Sequence, residues 1–118
     1  MSVDAADEQL LRRAYEAFNA RDIEAAISLM HPDVDWPNAM EGTRVHGHDG
    51  VRAYWTRQFE TIHSHVEPLG FSAEPAGHVT VDVHQVVHDT AGELLTDTMV
   101  RHVYVISDGL VTRMDVSD

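Results

Sequence analysis

The stretch VTVDVHQVVHD, residues 79–89, carries three side chains able to handle protons or charge, Asp82, His84 and His88. Side chains of a β-strand alternate between two faces, so these three share a face with Thr80 and Val86, while Val79, Val81, Val83 and Val87 share the other. The following TAGE is a hairpin turn, and with Thr90 facing Glu93 the register sets Asp82 opposite Arg101, His84 opposite Met99, Val86 opposite Asp97 and His88 opposite Leu95. An imidazole that changes charge near neutrality suits proton transfer, which makes His84 the candidate shuttle. Arg101, with its guanidinium fixed by Asp82, suits an enolate-like or anionic oxygen; the alternative is a cross-strand ion pair without chemistry. Two orientations follow from the alternation. Either the valines form the core and the polar row meets solvent, or the polar row lines a cavity and the valines lie under a partner subunit.

The remaining chain must position this hairpin. DEQLLRRAYEAFNARD has Leu10, Leu11, Ala14 and Phe18 at helical spacing, with acidic residues at its start where the helix dipole favours them. Asp22 reads as the N-cap of a second helix, whose Ile23, Ala26, Ile27 and Met30 share a face until HPD stops it at Pro32. DVDW is a short strand, and PNAMEGTRVHGHDG a loop by its Pro and Gly content. A third helix follows, with Val51, Tyr54, Trp55, Gln58, Phe59 and Ile62 as its stripe. After His63 the pattern turns to alternation, predicting strands at roughly 65–75, 78–89, 94–106 and 110–117. Pro68 and Gly70 mark the first of these as bulged or at an edge. Helices before an antiparallel sheet define an α+β class and a single domain over residues 1–118.

With 118 residues, 43% of them hydrophobic, the chain can bury a core unaided. No apolar run approaches the roughly 20 residues of a membrane span, and the acidic start MSVDAADEQ is unlike a secretory signal, so a cytoplasmic protein with no membrane partner is expected. A formal charge of −12 repels phosphate backbones and argues against nucleic acid. Zero cysteines remove thiol nucleophiles and thiolate metal sites. Nine histidines raise the question of metal. His84 and His88, four strand positions apart, have Cα atoms about 13 Å apart, too far to share an ion held by bonds of about 2 Å. The pairs HGH (His46, His48) and HSH (His63, His65) suit adventitious metal, and HExxH is missing. Neither a native metal nor a cofactor is expected.

The order of helix, FNARD, helix ending LMHPDVDW, Gly-containing loop, helix GVRAYWTRQF and a meander ending SDGLVTRMDV resembles the nuclear transport factor 2-like superfamily, which includes SnoaL-like polyketide cyclases, ketosteroid isomerases and limonene epoxide hydrolases. The resemblance implies three N-terminal helices packed in a strongly curved antiparallel sheet that forms a cone-shaped barrel with an internal cavity. It also implies a homodimer through the outer sheet face, and it turns the polar face of the hairpin inward. Apolar positions that would then line a cavity for a small hydrophobic organic ligand are Phe18, Met30, Trp36, Tyr54, Trp55 and Met114, joined by Val86, His88, Met99 and Val103.

Carried over by position, the isomerase's general-base Asp falls at Asn38, its oxyanion Tyr at Ala14 with Tyr15 one step round, and its protonated Asp at Arg101. Steroid isomerisation is therefore not expected. The hydrolase's water-holding Tyr and Asn correspond to Trp36 and Asn38, its Arg and Asp on a strand to Asp82 and His84, and its late Asp to Val116, beside Asp115. The catalytic set implied is His84, Asp82, Arg101 and Asn38, in a cofactor-independent acid–base enzyme of cyclase, isomerase, dehydratase or hydrolase type. A noncatalytic ligand-binding or dimerisation domain is the alternative.

Overall fold

The computed structural model describes residues 3–38, 42–74 and 77–117. Helix α1 (Ala5–Asn19) starts where the Asp4 carboxylate accepts the Ala6 N–H at 2.8 Å, with Asp7 and Glu8 in its first turn. It buries Leu10, Leu11, Tyr15 and Ala17. Arg21 then takes a left-handed φ of 62°, which ends the helical path, and Asp22 caps the short α2 (Ile23–Ile27) through the Ala25 N–H. Met30 does not belong to this helix. It opens strand β1 (Met30–Asn38), which continues through Pro32.

The segment read from sequence as one long loop contains a further strand, β2 (Thr43–His46), and feeds directly into α3 (Gly47–Thr61). Residues 39–41 of that segment lie outside the described residues. The strands β3 (Ile62–Ala73), β4 (His78–Asp89), β5 (Leu94–Ser107) and β6 (Leu110–Ser117) follow, all within a few residues of the expected ranges.

The helices and strands make an α+β fold with a single six-stranded sheet in the order β2-β1-β6-β5-β4-β3. Two parts of the expectation need correction. The helices are not all N-terminal, because β1 and β2 precede α3. The described sheet is also open and mixed instead of a closed antiparallel barrel, since β1 runs parallel to β6 with Met30 beside Val111 and Asp35 beside Arg113. No helix among the described residues is long and apolar enough to cross a membrane.

The expected pairs along the β4–β5 hairpin are present, with Asp82 facing Arg101, His84 facing Met99 and Val86 facing Asp97. The turn itself is one residue off the expectation: the Asp89 N–H donates to the Glu93 carbonyl at 2.9 Å, so that Asp89 and not Thr90 meets Glu93. A bulge between Val87 and His88 moves the partner of His88 from Leu95 to Leu94. The orientation is the reverse of the one the family resemblance implied. Val79, Val81, Val83 and Val87 are buried, with Val81 and Val83 fully inaccessible. Val79, Val81 and Val83 belong to one core cluster with Tyr104 on β5, the aromatic residues of β1 and α3, and Leu10 and Leu11 of α1. Burying a valine contributes about 1.5–3 kcal/mol, whereas turning Asp82 and Arg101 inward would cost several kcal/mol of desolvation per ion. The valine face is thus the core of one chain, and it leaves no apolar surface there for a dimer contact.

The corner FNARD docks α1 onto β3. The Asn19 amide donates to the Val66 carbonyl at 2.7 Å and accepts the Val66 N–H at 3.0 Å. The Arg21 guanidinium donates to the Ser64 carbonyl at 2.6 Å and lies over the Phe59 ring, 4.7 Å from its centroid.

Candidate functional site

On β5 the residues facing the core are Val100, His102 and Tyr104, paired with Val83, Val81 and Val79. His102 is therefore a polar side chain set into an apolar wall. Across from it α1 presents Tyr15, four residues after Leu11 and so on the same buried stripe. The Tyr15 hydroxyl lies 2.8 Å from Nδ1 of His102, and the Tyr104 hydroxyl donates to that of Tyr15 at 2.8 Å. The Tyr15 and His102 rings stack nearly parallel, with centroids 5.9 Å apart.

Burial governs the protonation of this trio. It lowers the His102 pKa to about 4, so the imidazole is neutral at pH 7. It raises both phenols, chiefly by desolvation, with the Tyr104 charge and hydrogen bond adding to the effect on Tyr15. In the neutral state Tyr104 donates to Tyr15, Tyr15 donates to Nδ1, and the imidazole proton resides on Nε2. No described residue hydrogen-bonds that Nε2.

The trio borders a pocket of about 100 Å³ between the helices and the inner sheet face. Its apolar wall includes Phe18, Met30, Trp36, Tyr54, Trp55 and Met114. Trp36 and Trp55 meet edge to face with centroids 5.4 Å apart, and Phe18 packs against Trp55 at the same spacing. Val116 lines the pocket while remaining 45% exposed, which places an opening to solvent there. Uncharged polar groups complete the lining: Gln58 from α3, Ser64 from β3 and Gln85 from β4. No carboxylate is among the described lining residues.

Several residues singled out from sequence stand elsewhere. Asp82 and Arg101 form a 3.2 Å ion pair on the outer sheet face, each side chain more than half exposed. His84 is also on that face, 2.6 Å from Asp97. Val86, His88, Met99 and Val103 share this side, with Met99 largely exposed. The inward placement of all seven is corrected, and the reason is parity: shifting a strand assignment by one residue moves every side chain to the opposite face. Two of the carried-over positions, Ala14 and Arg101, are off by one residue. Tyr15 reaches the trio where Ala14 merely lines the pocket, and His102 faces inward where Arg101 faces out. Asn38 is buried at the end of β1, next to the lining residues Trp36 and Pro37. Asp115 lies outside with Arg44, Arg113 and Asp35 in a charged network across β2, β1 and β6. Among the described residues no three His, Asp or Glu side chains converge as a metal site would require.

Sequence reasoning passed over Tyr15, His102, Tyr104, Gln58 and Ser64 as site residues. A signal existed for His102, a histidine set among the valines of the buried face, and for Gln58, an amide in the otherwise apolar and aromatic α3 stripe.

The chain belongs to the SnoaL-like domain family, whose model matches residues 11–114, within the nuclear transport factor 2-like superfamily. Similar solved structures include TerC co-crystallised with polyporic acid, 27% identical with a TM-score of 0.84, covering 97% of this chain and 92% of that one. A nuclear transport factor 2-like protein of unknown function from Burkholderia pseudomallei is 24% identical with a TM-score of 0.84, covering 98% and 92%. A candidate polyketide cyclase from Pseudomonas putida is 18% identical with a TM-score of 0.81, covering 98% and 92%. The last two likenesses establish fold alone. No curated protein sequence matches this chain.

Proposed function

We propose that the pocket takes up a small, flat, largely apolar organic molecule, and that the chain assists a cofactor-independent proton transfer on it, as in a cyclisation, isomerisation, dehydration or hydrolysis. The observation that carries this reading is the buried Tyr104–Tyr15–His102 relay at the pocket wall. With both phenol protons committed inward, the Nε2–H of His102 is the remaining donor. A ligand carbonyl placed there would be polarised. As charge develops on its oxygen, the hydrogen bond that it accepts from Nε2–H strengthens, and the two phenols behind the imidazole hold it in one tautomer. Asp82, His84 and Arg101, on the opposite face, take no part in this arrangement.

The lack of a lining carboxylate among the described residues favours a second reading, in which the pocket holds its ligand unchanged. One experiment separates the two. The protein contains only two tryptophans, Trp36 and Trp55, and both line the pocket, so intrinsic fluorescence reports on it alone. Titration with polyporic acid, the molecule bound for co-crystallisation of TerC, and with hydroxylated one- and two-ring aromatics should quench this emission saturably, and Tyr15→Phe should alter the quenching. Absorbance and mass spectrometry then reveal whether the ligand is converted. Binding without conversion across the panel supports the second reading, and no saturable quenching with any member rejects both.

A further inference from the structure

Gln58 stands on α3 one turn after Tyr54, and its side chain borders the pocket. Its Nε2 reaches the Tyr54 hydroxyl at 3.5 Å, at the limit of a hydrogen bond. Its Oε1 is buried and has no hydrogen-bond partner. It is the only side-chain polar atom of the described residues in that condition. The neighbouring polar groups do not relieve it. Gln85 donates to the Ser64 hydroxyl, again at 3.5 Å, and Ser64 is itself buried in the lining. A leucine or methionine would fill the Gln58 position on this apolar stripe without leaving a buried acceptor unsatisfied, a condition that costs more than a typical hydrogen bond returns. The acceptor is also uncharged, so it favours a neutral donor over an ammonium group.

We infer that Gln58 recognises the bound molecule: its Oε1 accepts a hydrogen bond from a hydroxyl or N–H on the ligand, so that the site selects a hydroxylated ring over its bare or O-methylated counterpart. This rests on the reading of the pocket as a ligand site. It adds a requirement that the relay does not impose. His102 offers a donor and asks for a ligand oxygen acceptor; Gln58 offers an acceptor and asks for a ligand donor. The substrate class is accordingly a hydroxylated aromatic or enolic carbonyl compound, carrying both functions on one small framework.

Phenol, anisole and toluene are matched probes, being a donor, an acceptor only, and neither. Their dissociation constants from tryptophan quenching and from amide shifts in a ¹⁵N-labelled sample of the whole chain give the test. Phenol should bind about tenfold more tightly than toluene or anisole, the effect of one hydrogen bond to an otherwise orphaned group. Gln58→Met, close in shape and without an acceptor, should bring phenol to the affinity of toluene while leaving toluene unchanged. If that variant does not fold, the wild-type Gln58 side-chain amide resonances provide the readout, and they should move with phenol but not with toluene. A phenol preference that survives in Gln58→Met, or an unmoved Gln58 amide at phenol saturation, overturns the assignment. Anisole binding as tightly as phenol overturns it as well, since Gln58 would then be presenting its NH₂ to the ligand. Should toluene bind normally in such a case, the pocket reading stands and only the recognition role is lost. If none of the three probes perturbs Trp36 or Trp55, the pocket reading fails and this inference with it.

Discussion

Replacing His102 by Gln should flatten the acid side of the stability profile. Burial lowers the His102 pKa from its ordinary 6.5 to about 4, so between these values the unfolded chain binds a proton that the folded chain refuses. Stability from this group is therefore complete above pH 6.5, declines as pH falls, and levels off below about 4. At about 1.4 kcal/mol per tenfold change in proton affinity, the full loss is about 3 kcal/mol, of which about 2 kcal/mol is reached by pH 5. Glutamine cannot titrate, and its amide oxygen can still accept from the Tyr15 hydroxyl. The other eight histidines and the 20 carboxylates are common to both proteins and cancel in the difference. Urea unfolding at intervals from pH 7.5 to 5 should show wild type more stable at the neutral end and the two curves converging by about 2 kcal/mol at the acid end. Curves that stay parallel would mean that His102 is solvated or carries a hidden anionic partner, and the neutral relay would have to be abandoned.

Other substitutions probe the orientation of the sheet and its docking. Val83→Lys places an unpaired ammonium where no solvent reaches and should cost more than about 3 kcal/mol, seen as loss of the cooperative thermal transition or a large drop in its midpoint. Arg101→Ala, by contrast, breaks an ion pair whose members are more than half exposed and should change urea stability by less than about 1 kcal/mol; a larger loss would show that the outer face is covered. Asn19→Ala removes both side-chain bonds to Val66 and should cost about 1–3 kcal/mol, with hydrogen exchange of the Val66 amide accelerating more than that of core amides on β4. An unchanged exchange rate at Val66 would contradict the docking.

What the sequence reveals here is alternation and turn chemistry, and what it conceals is the sign of the alternation. The pairing from Asp82 to Val86 agrees with the one reckoned from TAGE because two one-residue differences cancel: Asp89 takes the place of Thr90 opposite Glu93, and the bulge beside Val87 and His88 shifts the register back. Which face turns inward is a tertiary choice, and here the balance of four buried valines against a desolvated Asp and Arg decides it. That balance could be weighed from residue types alone; two positions borrowed from relatives, Ala14 and Arg101, are displaced by one residue from Tyr15 and His102, and the borrowed orientation pointed the other way. β2 was illegible for a different reason: four residues in a Gly-containing segment give too short an alternation to rise above a loop. The relay lies beyond local pattern, since Tyr15 and His102 are 87 positions apart and meet only when α1 folds across the sheet. The six aromatic and methionine residues placed at the pocket wall share helical or strand stripes that face the core, which is why their location was legible although their task is not.

The bonds that tie FNARD to β3 also bear on what this chain does in a crowd of its own copies. β3 is an edge of the sheet, and an unpaired edge invites another strand to add itself, the first step toward intermolecular sheets and aggregates. The Asn19 amide gives Val66 the donor and acceptor that such an incoming strand would offer, Arg21 occupies the carbonyl of Ser64, and Pro68, two residues further on, has no N–H to share. A short helical corner thus stands in for a seventh strand along the Ser64–Pro68 stretch of the edge, and blocks lateral growth of the valine-rich sheet there.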